Sequence, residues 1–237
     1  MITTIHKADT RGFADLGWLK SKLTFSFATY YDERRMNFGM LRVLNDDIVE
    51  SGMGFGTHPH NNMEIVSIPL SGALEHKDSM GHVEVIKECE VQIMSAGTGV
   101  MHSEYNHSKT EDVNFLQIWI LPKERNIKPR YDQRNIKDVD KKNKFLTVVS
   151  SDKNDNNALW INQDAYLSLA KIDADTEISY DIKMKGNGVY LFVIEGGVTI
   201  DGNELKKRDG IGIEDTDRIK IKSNSDNYLL AIEVPMG

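Results

Sequence analysis

The chain has one cysteine, Cys89, in 237 residues, so it can close no internal disulfide and build no cysteine-based zinc site of its own. A small, buried packing role is expected of that thiol. No apolar run approaches the roughly 20 residues that a membrane-spanning helix requires. The opening Met1-Ile2-Thr3-Thr4-Ile5-His6-Lys7 lacks the charged-then-apolar layout of a secretory signal. No membrane contact and a cytoplasmic location follow as expectations. Basic charge is in short supply, with 29 Lys and Arg against 36 Asp and Glu for a formal net charge of −7. The two small basic runs, Lys141-Lys142-Asn143-Lys144 and Lys206-Lys207-Arg208, sit beside acidic or turn residues and read as solvated loops. Nucleic acid is therefore not an expected partner. Histidine is missing from the whole second half: all seven, His6, His58, His60, His76, His82, His102 and His107, fall within the first 107 residues.

Long helical periodicity is also absent, and short β-prone segments dominate instead. They run through Met63 to Leu70, His82 to Ile86, Val91 to Met94 and Phe115-Leu116-Gln117-Ile118-Trp119-Ile120-Leu121, separated by turns such as Ser79-Met80-Gly81 and Gly97-Thr98-Gly99. This spacing predicts an all-β chain of antiparallel sandwiches or barrels. From Pro122 to about Asn143 apolar residues are sparse, and the stretch reads as a connection between two domains. Strand patterning resumes at Phe145-Leu146-Thr147-Val148-Val149. The expected division is a first domain over residues 1–130, then a linker and second domain over 131–237. Ile68-Pro69-Leu70-Ser71-Gly72-Ala73-Leu74 resembles Phe192-Val193-Ile194-Glu195-Gly196-Gly197-Val198, a strand, glycine turn and strand in each half, which suggests a duplicated domain. Counting back from the shared glycine, the counterparts of His58 and His60 are Ile182 and Met184.

His58-Pro59-His60 spaces two imidazoles at i and i+2, which puts both on one face of an extended strand. His102-Ser103-Glu104 repeats the spacing with a third imidazole and a carboxylate. An isolated pair of this kind is usually an exposed polar feature. Two pairs in one β-rich domain, separated by enough chain to return the second strand beside the first, point to one shared ion. His58, His60, His102 and Glu104 are the candidate ligands. Three neutral imidazoles and one carboxylate suit Fe(II), Mn, Ni, Co, Cu or Zn and not Mg or Ca. A metal preferring five or six ligands keeps positions open for substrate or dioxygen.

Glu64 is a further ligand candidate, a salt-bridge partner or a residue that orients a ligand imidazole, and His6, His76, His82 and His107 read as surface or turn histidines. Ser103 has no nucleophile elbow around it, and Gly52-Met53-Gly54-Phe55-Gly56 opens no helix that could cradle phosphate. Phe55, Met63 and Trp119 are candidate pocket walls.

Gly54-Phe55-Gly56-Thr57-His58-Pro59-His60, His76-Lys77-Asp78-Ser79-Met80-Gly81 and Met94-Ser95-Ala96-Gly97-Thr98-Gly99-Val100-Met101-His102-Ser103-Glu104 together resemble the pirin family of the cupin superfamily. Trp18, Phe25-Ser26-Phe27, Leu41-Arg42-Val43-Leu44-Asn45 and Pro129-Arg130-Tyr131 extend the resemblance along the first half. It implies a bicupin, two antiparallel jelly-roll β-barrels in one chain, with one metal in the first barrel on His58, His60, His102 and Glu104 and none in the second. It further implies Fe(II) as the first candidate ion and a dioxygenase that opens quercetin or a similar flavonol with O2, releasing carbon monoxide, with Glu104 as base. The rival readings are a metal-containing regulatory protein that binds a protein partner, and a metalloenzyme with another natural substrate. Cys89 stands where the second cupin motif usually has glycine, and Gly97 where it has proline.

Overall fold

The computed structural model describes residues 1–136 and 142–237; part of the expected connection, residues 137–141, lies outside the described residues, including Lys141 of the first basic run. Among the described residues the chain forms no α-helix, only a three-residue 3-10 turn at Ala8–Thr10. The strands are β1 (Ile2–His6), β2 (Gly12–Asp15), β3 (Leu19–Leu23), β4 (Leu41–Val49), β5 (Gly54–His60), β6 (Glu64–Ser71), β7 (Ala73–Asp78), β8 (Val83–Lys87), β9 (Glu90–Ser95), β10 (Val100–Asn106) and β11 (Val113–Ile120). They continue as β12 (Arg130–Asn135), β13 (Leu146–Ser150), β14 (Leu159–Trp160), β15 (Tyr166–Ile172), β16 (Glu177–Asp181), β17 (Asn187–Glu195), β18 (Gly197–Ile200), β19 (Asn203–Lys206), β20 (Gly210–Glu214), β21 (Arg218–Ser223) and β22 (Asn227–Pro235). Among the described residues no helix is long and apolar enough to cross a membrane.

Two compact units result. One takes residues 12–37 and 41–136, the other residues 1–11, 38–40 and 142–237. Each is a seven-stranded sheet with a four-stranded sheet: β12-β9-β6-β11-β4-β3-β2 with β5-β10-β7-β8 in the first, and β1-β20-β17-β22-β15-β13-β14 with β16-β21-β18-β19 in the second. The inner strands correspond in order, β9-β6-β11-β4-β3 with β20-β17-β22-β15-β13 and β5-β10-β7-β8 with β16-β21-β18-β19, which is the duplication that the glycine hairpins suggested; the edge strands differ, since β2 pairs antiparallel with β3 and β14 parallel with β13. Gly72 and Gly196 end the equivalent strands β6 and β17 at φ +76° and +85°, a left-handed turn that glycine enters without steric cost.

The grouping differs from the expected division at both ends of the first unit. β1 pairs with β20, from Ile2↔Glu214 to His6↔Gly210, so the first residues complete the second unit. His6 is buried there and its Nδ1 lies 2.9 Å from the Tyr190 hydroxyl, which corrects its reading as a surface histidine. The stretch read as a bare connection contains β12, which pairs with β9 from Arg130↔Ser95 to Asn135↔Glu90. Both added strands cover a sheet edge that would otherwise leave backbone N–H and C=O groups unpaired. An edge strand needs few apolar residues, so polarity concealed β12. Cys89 is half-buried, not buried, and adopts φ +65° between β8 and β9, the conformation that glycine serves at that turn in the family pattern.

In the first unit the inner faces of the two sheets meet over Leu19, Val49, Leu74, Ile86, Val113 and Phe115 at one level and over Ile65, Met94, Ala96 and Val100 at another. Polar side chains occupy the space between these clusters.

Candidate metal centre

The inward face of β10 carries Val100, His102, Glu104 and Asn106, all buried, whereas Met101 and Tyr105 on the outer face are 42% and 41% exposed. Burying polar groups while exposing apolar ones runs against the transfer free energies of both, so another interaction must favour it. β10 lies between β5 and β7 in its sheet. His102 pairs with His58 on one side and with Asp78 on the other. A bulge follows at once, since Glu104 pairs with Phe55 and leaves Gly56 and Thr57 to oppose Ser103. Its carbonyl at Gly56 accepts a hydrogen bond from His58 Nδ1 at 2.7 Å, which leaves His58 Nε2 bare and turned to His102 Nε2, 3.0 Å away. One donor atom from each of His58, His60 and His102 lies within 4.8 Å of the others. Glu104, His102 and His76 form a second such group.

Burial holds His60 at a pKa of about 4, helped by neighbouring His58, and holds His102 at about 2, helped by His58, His60 and His76. Both rings are therefore neutral, with lone pairs free to ligate. Glu104 is 2% exposed, and burial pushes its pKa up to about 7. Gln117 Nε2 donates to Glu104 Oε2 at 2.8 Å, and the Ser67 hydroxyl lies 3.2 Å from Oε1.

His76 is fully buried, so its reading as a surface residue was mistaken. Its Nε2 lies 3.1 Å from Asp78 Oδ2, and its ring stacks on Tyr131 at 4.6 Å. His82, half-buried, meets the same two partners, with its ring stacked 4.9 Å from Tyr131 and its Nδ1 2.9 Å from Asp78 Oδ2. His107 is exposed and pairs with Glu75. Sequence reasoning missed the roles of Ser67, Gln117, His76 and Asp78. For the last two a signal was present, because His76-Lys77-Asp78 is a third i, i+2 pair that shares a strand face.

A cavity of about 420 Å³ opens on the site, lined by Trp18, Phe27, Phe55 and Trp119 together with His58, His60 and Glu104. Phe55 packs edge-on against Trp18, and Trp119 stands edge-on to both His60 and Phe27. Phe55 and Trp119 are thus walls, but Met63 packs into the Ile65, Met94 and Val100 cluster instead. Glu64 accepts from the Ser95 hydroxyl at 2.7 Å, and its charge acts on Arg130. Among the described residues Glu64 belongs to neither metal-compatible group, and its effect on Arg130 accords with a salt-bridge role.

The second unit shows what the same framework becomes without such a site. Matching Gly196 to Gly72 and following the strand registers places Ile219 and Ile221 at the positions of His102 and Glu104, and Ile200 at that of His76. Ile219 pairs with Tyr180, which is therefore the counterpart of His58, and Ile182 that of His60. The counterparts counted along the sequence were two residues too far, because the turns before β6 and β17 differ in length. Ser67 and Gln117 are replaced by Leu191 and Ala231. All these side chains join one aliphatic core, with Ile182 packed against it.

The donor chemistry of the first unit fits a divalent transition ion: neutral imidazoles with bare nitrogens converge where protein packing alone would disfavour them, and a buried carboxylate stands beside them. Fold and site define a two-barrel β protein with one histidine-rich centre. The family described as Pirin matches residues 5–120, and the quercetinase C-terminal cupin domain matches residues 147–234. Quercetin 2,3-dioxygenase of Escherichia coli strain K12 is 45% identical over 231 residues, covering 98% of each chain. A putative quercetin 2,3-dioxygenase of Pseudomonas aeruginosa is 37% identical over 95% of this chain and 97% of its own length. The crystal structure of the bacterial pirin YhhW from E. coli in complex with nickel(II) covers all of both chains with a TM-score of 0.93 at 43% identity. The chain belongs to the pirin family, and its fold is the two-barrel cupin fold of that family.

Proposed function

We propose that this protein is a metal-dependent quercetin 2,3-dioxygenase-type oxidoreductase, which opens the central ring of quercetin or a related flavonol with O2 and releases carbon monoxide. The observation that carries the reading is the meeting of His58, His60 and Glu104 with four aromatic walls around one cavity. Relatives named for this activity match along almost the whole chain. His58, His60, His102 and Glu104 would hold the ion, Fe(II) as first candidate, with Ni(II) next to it because the E. coli relative was crystallised with nickel. Such an ion supplies a Lewis acid for a phenolic oxygen.

The chain's own residues supply the rest. Trp18, Phe27, Phe55 and Trp119 exclude water and offer flat apolar surface to a planar polycyclic substrate. Glu104 is the base that takes the 3-hydroxyl proton on shifting from its ligand position: burial, which pushes its pKa up to about 7 in the metal-free protein, disfavours the bare carboxylate and so favours its taking up that proton. Gln117 and Ser67 hold its two oxygens in place as the proton arrives. The second barrel supplies no chemistry, and the site of action is taken to be the cytoplasm.

The test is anaerobic loading with Fe(II), Mn, Co, Ni, Cu and Zn in turn, followed by quercetin loss, O2 uptake and carbon monoxide release, with His60→Ala as control. Turnover that requires both an ion and His60 is expected. Tight ion binding without turnover in any form would overturn the flavonol reading and favour a regulatory metalloprotein.

A further inference from the structure

The ring nitrogen of His102 that faces away from His58 meets a buried side-chain relay. His102 Nδ1 lies 3.5 Å from His76 Nδ1, and His76 Nε2 lies 3.1 Å from Asp78 Oδ2. The side chains of His76 and Asp78 are both 0% exposed, and the stack on Tyr131 holds the plane of the His76 ring. The backbone orients Asp78: its Oδ1 accepts from Met80 N–H at 2.8 Å and His82 N–H at 3.1 Å, so Oδ2 is the oxygen presented to His76. His82 Nδ1 approaches the same carboxylate from the more exposed side.

With Asp78 ionised and His58 donating from Nδ1 to Gly56, one distribution of protons pairs the relay from Asp78 to His102 and leaves two bare nitrogens face to face only at His102 Nε2 and His58 Nε2, where a cation would lie between them. An ionised carboxylate only accepts, so His76 carries its proton on Nε2. The neutral His76 ring is then bare at Nδ1 and can only accept from His102 Nδ1–H. His102 is left bare at Nε2, the nitrogen that faces His58 Nε2.

We propose that Asp78 and His76 are positioning residues that set the tautomer of His102 and so expose its Nε2 to the ion. The inference rests on His102 being a ligand, part of the reading above, and not on any flavonol chemistry. In Asp78→Asn the amide oxygen takes the place of Oδ1 before the two backbone donors, which turns the NH2 group toward His76. His76 must then accept at Nε2 and carry its proton on Nδ1, and His102, facing a donor, must move its own proton to Nε2, where it blocks ligation.

The experiment uses the full-length, metal-free protein labelled with 15N-histidine, with tautomers read from long-range 1H–15N correlations, and Ni(II) affinity measured by chelator competition. The wild type is expected to show His76 Nε2–H and His102 Nδ1–H. Asp78→Asn should invert both and weaken Ni(II) binding by about 10- to 100-fold. His82→Ala should keep both tautomers and change affinity by no more than about fivefold, as for a partly exposed pair. A wild-type His102 protonated on Nε2 would overturn the proposal without any variant. So would a folded Asp78→Asn protein with wild-type tautomers and unchanged Ni(II) affinity. Because no flavonol enters the assay, its failure is distinct from failure of the dioxygenase reading.

Discussion

Replacing Glu104 by glutamine removes one charge and almost no volume, and the adaptable partners Ser67 and Gln117 can re-pair with the amide by rotation. The consequences are therefore electrostatic. Burial raises the Glu104 pKa from 4.5 to about 7, and a cation binds the ionised form. Below pH 7 each ion bound must displace a proton from this carboxylate, so its contribution to affinity falls by about 30-fold between pH 8 and pH 5.5. Protonation of the histidines affects wild type and variant alike and cancels in their ratio. Chelator-competition titrations with Ni(II) across that range should thus show the affinity advantage of wild type over Glu104→Gln shrinking about 30-fold as pH falls. The metal-free proteins should show the complementary effect. A carboxyl whose folded pKa is raised contributes stability that is complete below 4.5 and is lost as pH rises through 7. Metal-free Glu104→Gln should then be the more stable protein at pH 8, by about 3 kcal/mol, with the advantage fading toward pH 4.5. An affinity ratio that does not change with pH, together with equal metal-free stabilities at pH 8, would refute the assignment of Glu104 as a buried ligand with a raised pKa.

Other perturbations test the frame around the site. A Cβ at Gly54 would stand 2.3 Å from the Glu104 carbonyl oxygen and 2.5 Å from Tyr105 Cα, so Gly54→Ala must push β5 from β10. It should cost about 1–3 kcal/mol in urea denaturation and weaken ion binding, and an unchanged protein would contradict the close approach. In the second barrel Ile221→Val should cost about 1 kcal/mol, whereas Ile221→Glu should cost more than ~3 kcal/mol at pH 7 by placing an unpaired carboxyl in aliphatic core. Equal effects of the two substitutions would contradict the packing described. Phe55→Ala removes a cavity wall that also packs against Trp18. It should raise KM for quercetin by about 10-fold or more, from roughly 1.5–3 kcal/mol of lost apolar burial, while kcat changes little; a fall in kcat at constant KM would remove Phe55 from substrate binding.

Much of the first barrel was legible because strand alternation is local. The pairs at His58-Pro59-His60 and His102-Ser103-Glu104 declared their shared faces, and the hairpin glycines Gly72 and Gly196 marked equivalent points of a duplicated fold. β12 and β1 were not legible as to place. β12 is polar because an edge strand can be, and β1 lies far in sequence from the sheet it completes. His76 illustrates the same limit, since its i, i+2 spacing to Asp78 showed that the two share a strand face but not that this face is wholly buried.

By itself, then, the amino-acid sequence determined the all-β class, the two-domain plan, the faces on which the candidate ligands sit and the lack of histidine in the second half. Backbone geometry enforces alternation wherever a segment is extended, so these properties need no knowledge of neighbours. Tertiary structure alone decided that β10 lies between β5 and β7, so that His102 has His58 on one side and His76 on the other. It also decided that Glu104 is desolvated enough to titrate near 7 and that the matching space in the second barrel is filled by Ile219 and Ile221. Those outcomes depend on the register between strands distant in sequence and on the water that their packing excludes, and neither is encoded in any single segment.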